Sequence, residues 1–508
     1  MSHNLFNLLF PAAIGGEASA LTLSAGNVWS RARLQDAAGR LAQVLLNAGV
    51  APGDRVAAQV EKSAQAVALY LACLKAGAVY LPLNTAYTPH EMAAFLGDAA
   101  PTVFVGQPHA MAGLAPHLPT HCARFTLDAT GSGTLSTAAE DVVPLQASVP
   151  RARGDLAAIL YTSGTTGRAK GAMITHGNLI FAAEALNDLW GITGDDVLLH
   201  ALPVFHAHGL FIAINCALAA GAPMWFLPKF AVEPVIDLLP RSTLFMGVPT
   251  LYTRLLGDAR LTHDLCAPMR LFTSGSAPLS GATFDAFRAR TGHAILERYG
   301  TTETAIIASN PLAGERIQGT VGFAVPGVDV RIFGDAGTEV PRGEVGEVVL
   351  RGPNVFAGYW RMPEQTQQDF TLDGFFRTGD LARMDEERRI TIVGRAKDLI
   401  ISGGYNVYPR EVEAALARLD GVEDCAVIGV PHPDFGEGVI AVVERRPGSL
   451  GPEPEMLLAG LSGELARYKL PKHVIVQDTL PRNAMGKVQK TELRRLHAGI
   501  FQHGDDPA

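Results

Sequence analysis

The residues of this chain that could do chemistry fall into a few short strings. Tyr161-Thr162-Ser163-Gly164-Thr165-Thr166-Gly167-Arg168-Ala169-Lys170-Gly171 follows a strand-like run, Leu156 to Leu160. Gly164 and Gly167 let backbone amides close on an anion. The hydroxyls of Thr162, Ser163, Thr165 and Thr166 donate to phosphate oxygens, and Lys170 adds positive charge. The P-loop pattern ends Gly-Lys-Ser/Thr, whereas Lys170 is followed by Gly171, so this is a phosphate loop of another kind. Further strings carry a carboxylate, tyrosine or cation: Glu297-Arg298-Tyr299-Gly300-Thr301-Thr302-Glu303, Thr378-Gly379-Asp380, Gly394-Arg395-Ala396-Lys397-Asp398, Ser402-Gly403-Gly404-Tyr405 and Pro481-Arg482-Asn483-Ala484-Met485-Gly486-Lys487. Taken singly, Asp380 reads as a turn carboxylate, Tyr299 as a core aromatic and Lys487 as a solvated loop cation. His206 and His208 suggest a metal pair, but with no third ligand near them they read better as the lining of a pocket.

Positioning such groups takes a large scaffold, and the composition provides one. The chain has 508 residues, enough for about three domains' worth of core. Hydrophobic residues make up 48% and charged residues 18%, which excludes a disordered or fibrous chain. A net charge of -8 leaves no broad electrostatic footprint for nucleic acid. Cys73, Cys122, Cys216, Cys266 and Cys425 are scattered, as in a reduced, cytoplasmic protein. Leu5 to Phe10 is too short for a secretory signal. The uncharged stretch Gly209 to Leu227 is broken by Asn215 and by Gly221-Ala222-Pro223, so it reads as a buried helix, a turn and a strand at Met224 to Leu227 rather than a membrane span.

The first half alternates strand and helix signals. Arg55 to Val60 reads as a strand, Ser63 caps a helix running through Lys75, and Gly77 ends it. Ala78 to Leu83, His90 to Gly97 and Thr102 to Val105 continue as strand, helix, strand, which predicts βαβ units and parallel sheets. The texture changes after a strand at Ile390 to Val393. A helix from Glu411 to Leu419, strands at Cys425 to Val430 and Val439 to Val443, a helix around Met456 to Arg467 and a strand at His473 to Gln477 form an α+β unit of roughly 110 residues. The expected boundary lies at Arg395, giving domains 1–395 and 396–508.

The strings, in this order along nearly the whole chain, resemble the adenylate-forming superfamily of acyl-CoA synthetases, peptide-synthetase adenylation domains and firefly-type luciferases. The resemblance implies an α/β fold: a large N-terminal domain of βαβαβ lobes plus a barrel-like β lobe, and a small, mobile α+β lid. It implies that the Thr162 to Lys170 loop holds the β- and γ-phosphates of ATP. Gly275-Ser276-Ala277, Glu297, Tyr299, Gly300 and Thr301 lie along AMP, with Tyr299 stacking on adenine. Thr302 touches the α-phosphate, Glu303 ligates magnesium, and Asp380 accepts from the ribose hydroxyls with Arg395 nearby. Lys487 bridges the substrate carboxylate and the α-phosphate as charge builds. Lys397 is the hinge about which the lid turns, and Gly403-Gly404-Tyr405 then faces the pantetheine arm of coenzyme A. Acetylation of Lys487 by a lysine acetyltransferase, which would erase its cation, is a further implication.

Arg298 stands where most acyl-CoA synthetases of this superfamily carry a small residue, at a position facing the acyl pocket. An unpaired cation there costs on the order of 3–5 kcal/mol, which a second substrate carboxylate offsets. Val204-Phe205-His206-Ala207-His208-Gly209, Gly247 to Arg254, Ser274 to Pro278 and Leu296 to Gly300 resemble the malonyl-CoA synthetase family. There two arginines and a serine, mapping onto Arg254, Arg298 and Ser276, hold the free carboxylate of malonate, and His206, Ala207, His208 and Ile306 line the pocket. Thr301, Ala207 and the run Ala305-Ile306-Ile307 are smaller or less polar than that pattern, which predicts room for methylmalonate. The alternatives are a ligase for another short acid, or an adenylating enzyme that loads a carrier-protein arm. A kinase-like enzyme would instead release ADP.

Overall fold

The computed structural model describes residues 3–162, 170–403, 405–448, 452–462, 464–483 and 486–501. The local signals form the expected elements. Ser63 Oγ accepts the backbone N–H of Ala66 at 3.1 Å and opens the helix Ala64–Ala76, which Gly77 caps. This helix is buried almost all round, because it lies between two other layers rather than on a surface. Its flanking strands, Arg55–Gln59 and Val79–Pro82, pair in parallel, as do Val103–Gly106 and Ala123–Thr126 beyond them. Leu156–Thr162 joins the same six-stranded sheet and turns back antiparallel into Lys170–Thr175.

A second, nine-stranded sheet holds the site. Its parallel centre runs through Met224–Phe226, Leu198–His200, Leu244–Gly247, Leu271–Ser274 and Leu296–Tyr299. Leu198–His200, Leu244–Gly247 and Leu271–Ser274 are buried along their whole length, as central strands covered on both faces must be. The uncharged stretch departs in detail from the expected helix. Residues His208–Ile214 form a π-helix that passes into the α-helix Asn215–Ala220. A continuous apolar run cannot distinguish the two periods, since every face is buried either way. Among the described residues no helix is long and apolar enough to cross a membrane.

Asp329–Phe333, Val345–Arg351, Phe376–Met384 and Ile390–Arg395 make a four-stranded antiparallel sheet. Its apolar face joins the main core, which extends from Leu5 to Ile390. The remaining strands form a five-stranded sheet with two apolar clusters of its own, both built from residues beyond Ile400. The helix expected to reach Arg467 stops at Ser462, and Arg467–Lys469 is a 3-10 turn. All five cysteines are free and buried.

Candidate active site

Ligands of parallel sheets bind beyond the carboxyl ends of the strands. Here the ends of Leu271–Ser274 and Leu296–Tyr299 deliver Gly275-Ser276-Ala277 and Arg298-Tyr299-Gly300 side by side. Arg298 lies flat against the backbone of Gly275. A Cβ at position 275 would stand 2.4 Å from Arg298 Nε, so only glycine leaves room for the guanidinium. Arg298 is 5% exposed, and among the described residues its Nε and Nη2 have no hydrogen-bond partner. Burial lowers its pKa to about 10, which leaves it a cation at neutral pH.

The His208 imidazole lies within reach of the Arg298 charge and of His206, and among the described residues the buried Nε2 of each histidine has no partner. Ser276, held at φ +69°, places its Oγ 3.4 Å from His208 Nδ1. Burial, and then the positive charge of Lys487, lower the His206 pKa to about 4, and His208 is lowered further by burial and by Arg298. Both rings are therefore neutral donors. Four buried, unpartnered nitrogens, two on Arg298 and one on each imidazole, are groups that an oxygen-rich anion can satisfy.

The nucleotide side is equally organised. Tyr299 Oη donates to Asp380 Oδ2 at 2.6 Å, and Arg395 Nε meets Asp380 Oδ1 at 2.9 Å. Tyr359 Oη donates to Glu303 Oε1 at 3.2 Å. Lys170 Nζ lies 3.4 Å from Asp369 Oδ2 and 4.8 Å from the centre of the Tyr359 ring. Thr301 N–H donates to Thr304 Oγ1 at 3.0 Å, which shapes the turn that leaves Thr302 half-buried. The backbone of Gly300 is pressed against the Ala305 carbonyl. Glu297 is 7% exposed and accepts from Gly319 N–H at 3.1 Å, while burial pushes its carboxyl up to about 7.

Lys487 reaches this place from the C-terminal sheet. Its loop lies against the helix Pro249–Leu256, where a Cβ on Gly486 would be 3.7 Å from Thr250 Oγ1. Water still reaches the lysine, but the surrounding protein lowers its pKa to about 8. Repulsion by Arg395 and Arg298 adds to this, and Asp380 opposes it.

Ser163, Gly164, Thr165, Thr166, Gly167 and Gly404 lie outside the described residues, as does the Thr162 side chain. Arg254 is exposed, one turn beyond Thr250 on the same helix. Ile306 is fully buried and Ala207 half-buried. Lys397 is exposed in the 3-10 turn Ala396–Asp398, and Tyr405 is exposed and stacked on Tyr468 with ring centres 4.8 Å apart. Sequence reasoning missed Tyr359 and Asp369. They follow the phosphate loop by roughly 200 residues and form no string.

For magnesium, the fit is that of a nucleotide-borne ion. Among the described residues no cluster of three or more His, Cys, Asp or Glu forms a protein cage. A hard cation already ligated by phosphates needs only a carboxylate such as Glu303.

The profile of the family described as AMP-binding enzyme matches residues 12–360, and that of the AMP-binding enzyme C-terminal domain matches residues 411–487. The crystal structure of ATP-bound MatB from Rhodopseudomonas palustris is 51% identical, covers 99% of this chain and 100% of its own, and superposes with a TM-score of 0.96. Apo MatB from that organism superposes at 0.85. A malonate–CoA ligase of Arabidopsis thaliana is 35% identical over 88% of this chain and 78% of its own length. A feruloyl-CoA synthase of Amycolatopsis is 37% identical over 92% and 94%. With a large domain and a C-terminal domain both matched, this chain belongs to the AMP-binding enzyme family.

Proposed function

We propose that this enzyme joins malonate to the thiol of coenzyme A, driven by ATP and passing through malonyl-adenylate. A malonate carboxylate attacks the α-phosphorus of ATP and pyrophosphate leaves. The coenzyme A sulfur then attacks the acyl carbonyl and AMP leaves. The observation that carries this reading is Arg298, a buried cation with Nε and Nη2 unpartnered. A feruloyl or acetyl group would leave that charge uncompensated, whereas the far carboxylate of malonate pairs with it. The similarity to a malonate–CoA ligase supports the same acid.

In this reading His206, His208 and Ser276 hold the far carboxylate beside Arg298, with Arg254 as the second arginine. Tyr299 stacks on adenine, Asp380 and Arg395 receive the ribose, and Lys170 and the loop before it hold the outer phosphates. Thr302 and Lys487 flank the α-phosphate, and Glu303 ligates magnesium. Bound magnesium neutralises phosphate charge. We place the boundary between body and lid at Arg395, with Lys397 as hinge, and the separate apolar clusters beyond Ile400 support it. The better match to ATP-bound than to apo MatB supports a lid held in the adenylating position. Gly403, Gly404 and Tyr405 then serve coenzyme A after rotation. A cytoplasmic location and acetylation of Lys487 belong to the same proposal.

The test is a panel of acids with ATP and coenzyme A, read as acyl-CoA by mass and as AMP against ADP. Malonyl-CoA with AMP is expected; propionyl-CoA as the main product would refute the reading. Because Ala207 is small, methylmalonate is expected to react with a kcat/KM within about tenfold of malonate, the value of one methyl group in a pocket. A negligible methylmalonate rate in the same panel excludes the open pocket.

A pH dependence follows from Lys487. Its cation is present below about 8 and lost as pH rises through that value. The kcat/KM for ATP, measured by pyrophosphate release without coenzyme A, should therefore fall on the alkaline side of about pH 8. In Lys487→Arg that alkaline fall should vanish, and its persistence would assign it to another group.

A further inference from the structure

A second buried basic side chain, Lys62, stands in the turn between the strand Arg55–Gln59 and the helix Ala64–Ala76. Lys62 is 8% exposed and precedes the helix Ala64–Ala76 by two residues. Its Nζ is 2.7 Å from His200 Nδ1 and donates to the His200 carbonyl at 3.0 Å. The remaining face of the ammonium lies over the Phe226 ring, 4.4 Å from its centre. Among the described residues no carboxylate pairs with it. The other ring nitrogen, His200 Nε2, is 2.9 Å from the Gly209 carbonyl, which only accepts. Nε2 therefore carries the proton and Nδ1 accepts from Lys62, so a single neutral tautomer satisfies both contacts.

Gly209 is the second residue of the π-helix His208–Ile214, and its carbonyl accepts from His200 Nε2–H. That contact lies next to His208, whose Nδ1 faces Ser276 and whose Nε2 has no partner among the described residues. We propose that Lys62 is a positioning residue for the acyl pocket. It fixes the His200 tautomer, and through the Gly209 carbonyl that tautomer sets where His208 points its free N–H. This rests on the reading that His208 and Arg298 receive the far carboxylate of the acid.

The test compares Lys62→Met, His200→Gln and His200→Leu in the full chain. Met keeps the stem of Lys62 without its donors. Gln keeps a donor for Gly209 and an acceptor for Lys62, and Leu keeps neither. Lys62→Met and His200→Leu are expected to lower kcat/KM for malonate about tenfold, mainly through KM. The KM for ATP and the rate with propionate should stay within about twofold, and His200→Gln should remain near the parent. Equal losses with malonate and propionate, a matching rise in the KM for ATP, or His200→Gln failing like His200→Leu would each overturn the proposal. Nitrogen-15 spectra of histidine-labelled protein give a readout that needs no substrate. The parent should show the His200 Nε2–H form, and Lys62→Met a mixture of tautomers with a shifted His208 signal; unchanged spectra overturn the relay. A parent enzyme with no preference for malonate over propionate, but with these spectral changes, keeps the relay and removes only the dicarboxylate reading.

Discussion

Lys487→Ala is expected to lower malonyl-adenylate formation by a factor on the order of 10³, the scale of losing a preorganised charge at a developing anion. The lysine reaches the site from the C-terminal sheet, close enough to Arg298, Arg395 and Asp380 to feel all three charges. The neighbouring cation Arg395 is engaged by Asp380 and so does not take over its role. Conversion of supplied malonyl-AMP and coenzyme A into the thioester should change by less than about threefold. A mixed anhydride with AMP as leaving group needs little beyond placement of the thiol. Pyrophosphate release and thioester formation, measured separately, decide the matter, and equal damage to both steps would move Lys487 out of the chemical role.

Arg298→Gly is the second large effect. Malonate should lose on the order of 10²–10³ in kcat/KM, the equivalent of about 3–4 kcal/mol and within the range for stranding a charge in a dry pocket. Propionate, which has no far carboxylate, should lose little or gain. Arg298→Met, which keeps most of the volume over Gly275, separates charge from packing and should show the same inversion. Stability adds an independent check. The parent buries a guanidinium with unpartnered nitrogens, so removing it relieves a cost. The melting temperature of the ligand-free Arg298→Met protein should hold or rise. A fall of more than a few degrees, with both acids losing equally, would make Arg298 a structural residue.

How much of this could be read from residues depended on how local the signal was. Ser63 and Gly77 announced the helix they cap, since capping is settled within four residues. The strand at His473–Gln477 was legible to the residue because the apolar run is short and bounded. Arg298 was conspicuous because it stands where most acyl-CoA synthetases of the resembled superfamily carry a small residue. Lys62 and His200 were not. They lie 138 residues apart, one in a turn after a strand of the six-stranded sheet and the other in a strand of the nine-stranded sheet. The same holds for Tyr359 with Glu303, 56 residues apart. The π-helix was hidden for another reason: its register depends on how carbonyls are satisfied, which no side-chain pattern encodes.

The five cysteines bear on an enzyme that makes an electrophile and then hands it to a sulfur nucleophile. Burial pushes the Cys216 thiol, within reach of the Arg298 field, up to about 12, and Cys122 and Cys266 to about 11. None is a thiolate at neutral pH, and thiolates are the species that attack activated acyl groups. Self-acylation by the bound anhydride, and mixed disulfides with the co-substrate, are thereby both suppressed, so the visiting thiol competes with no resident one.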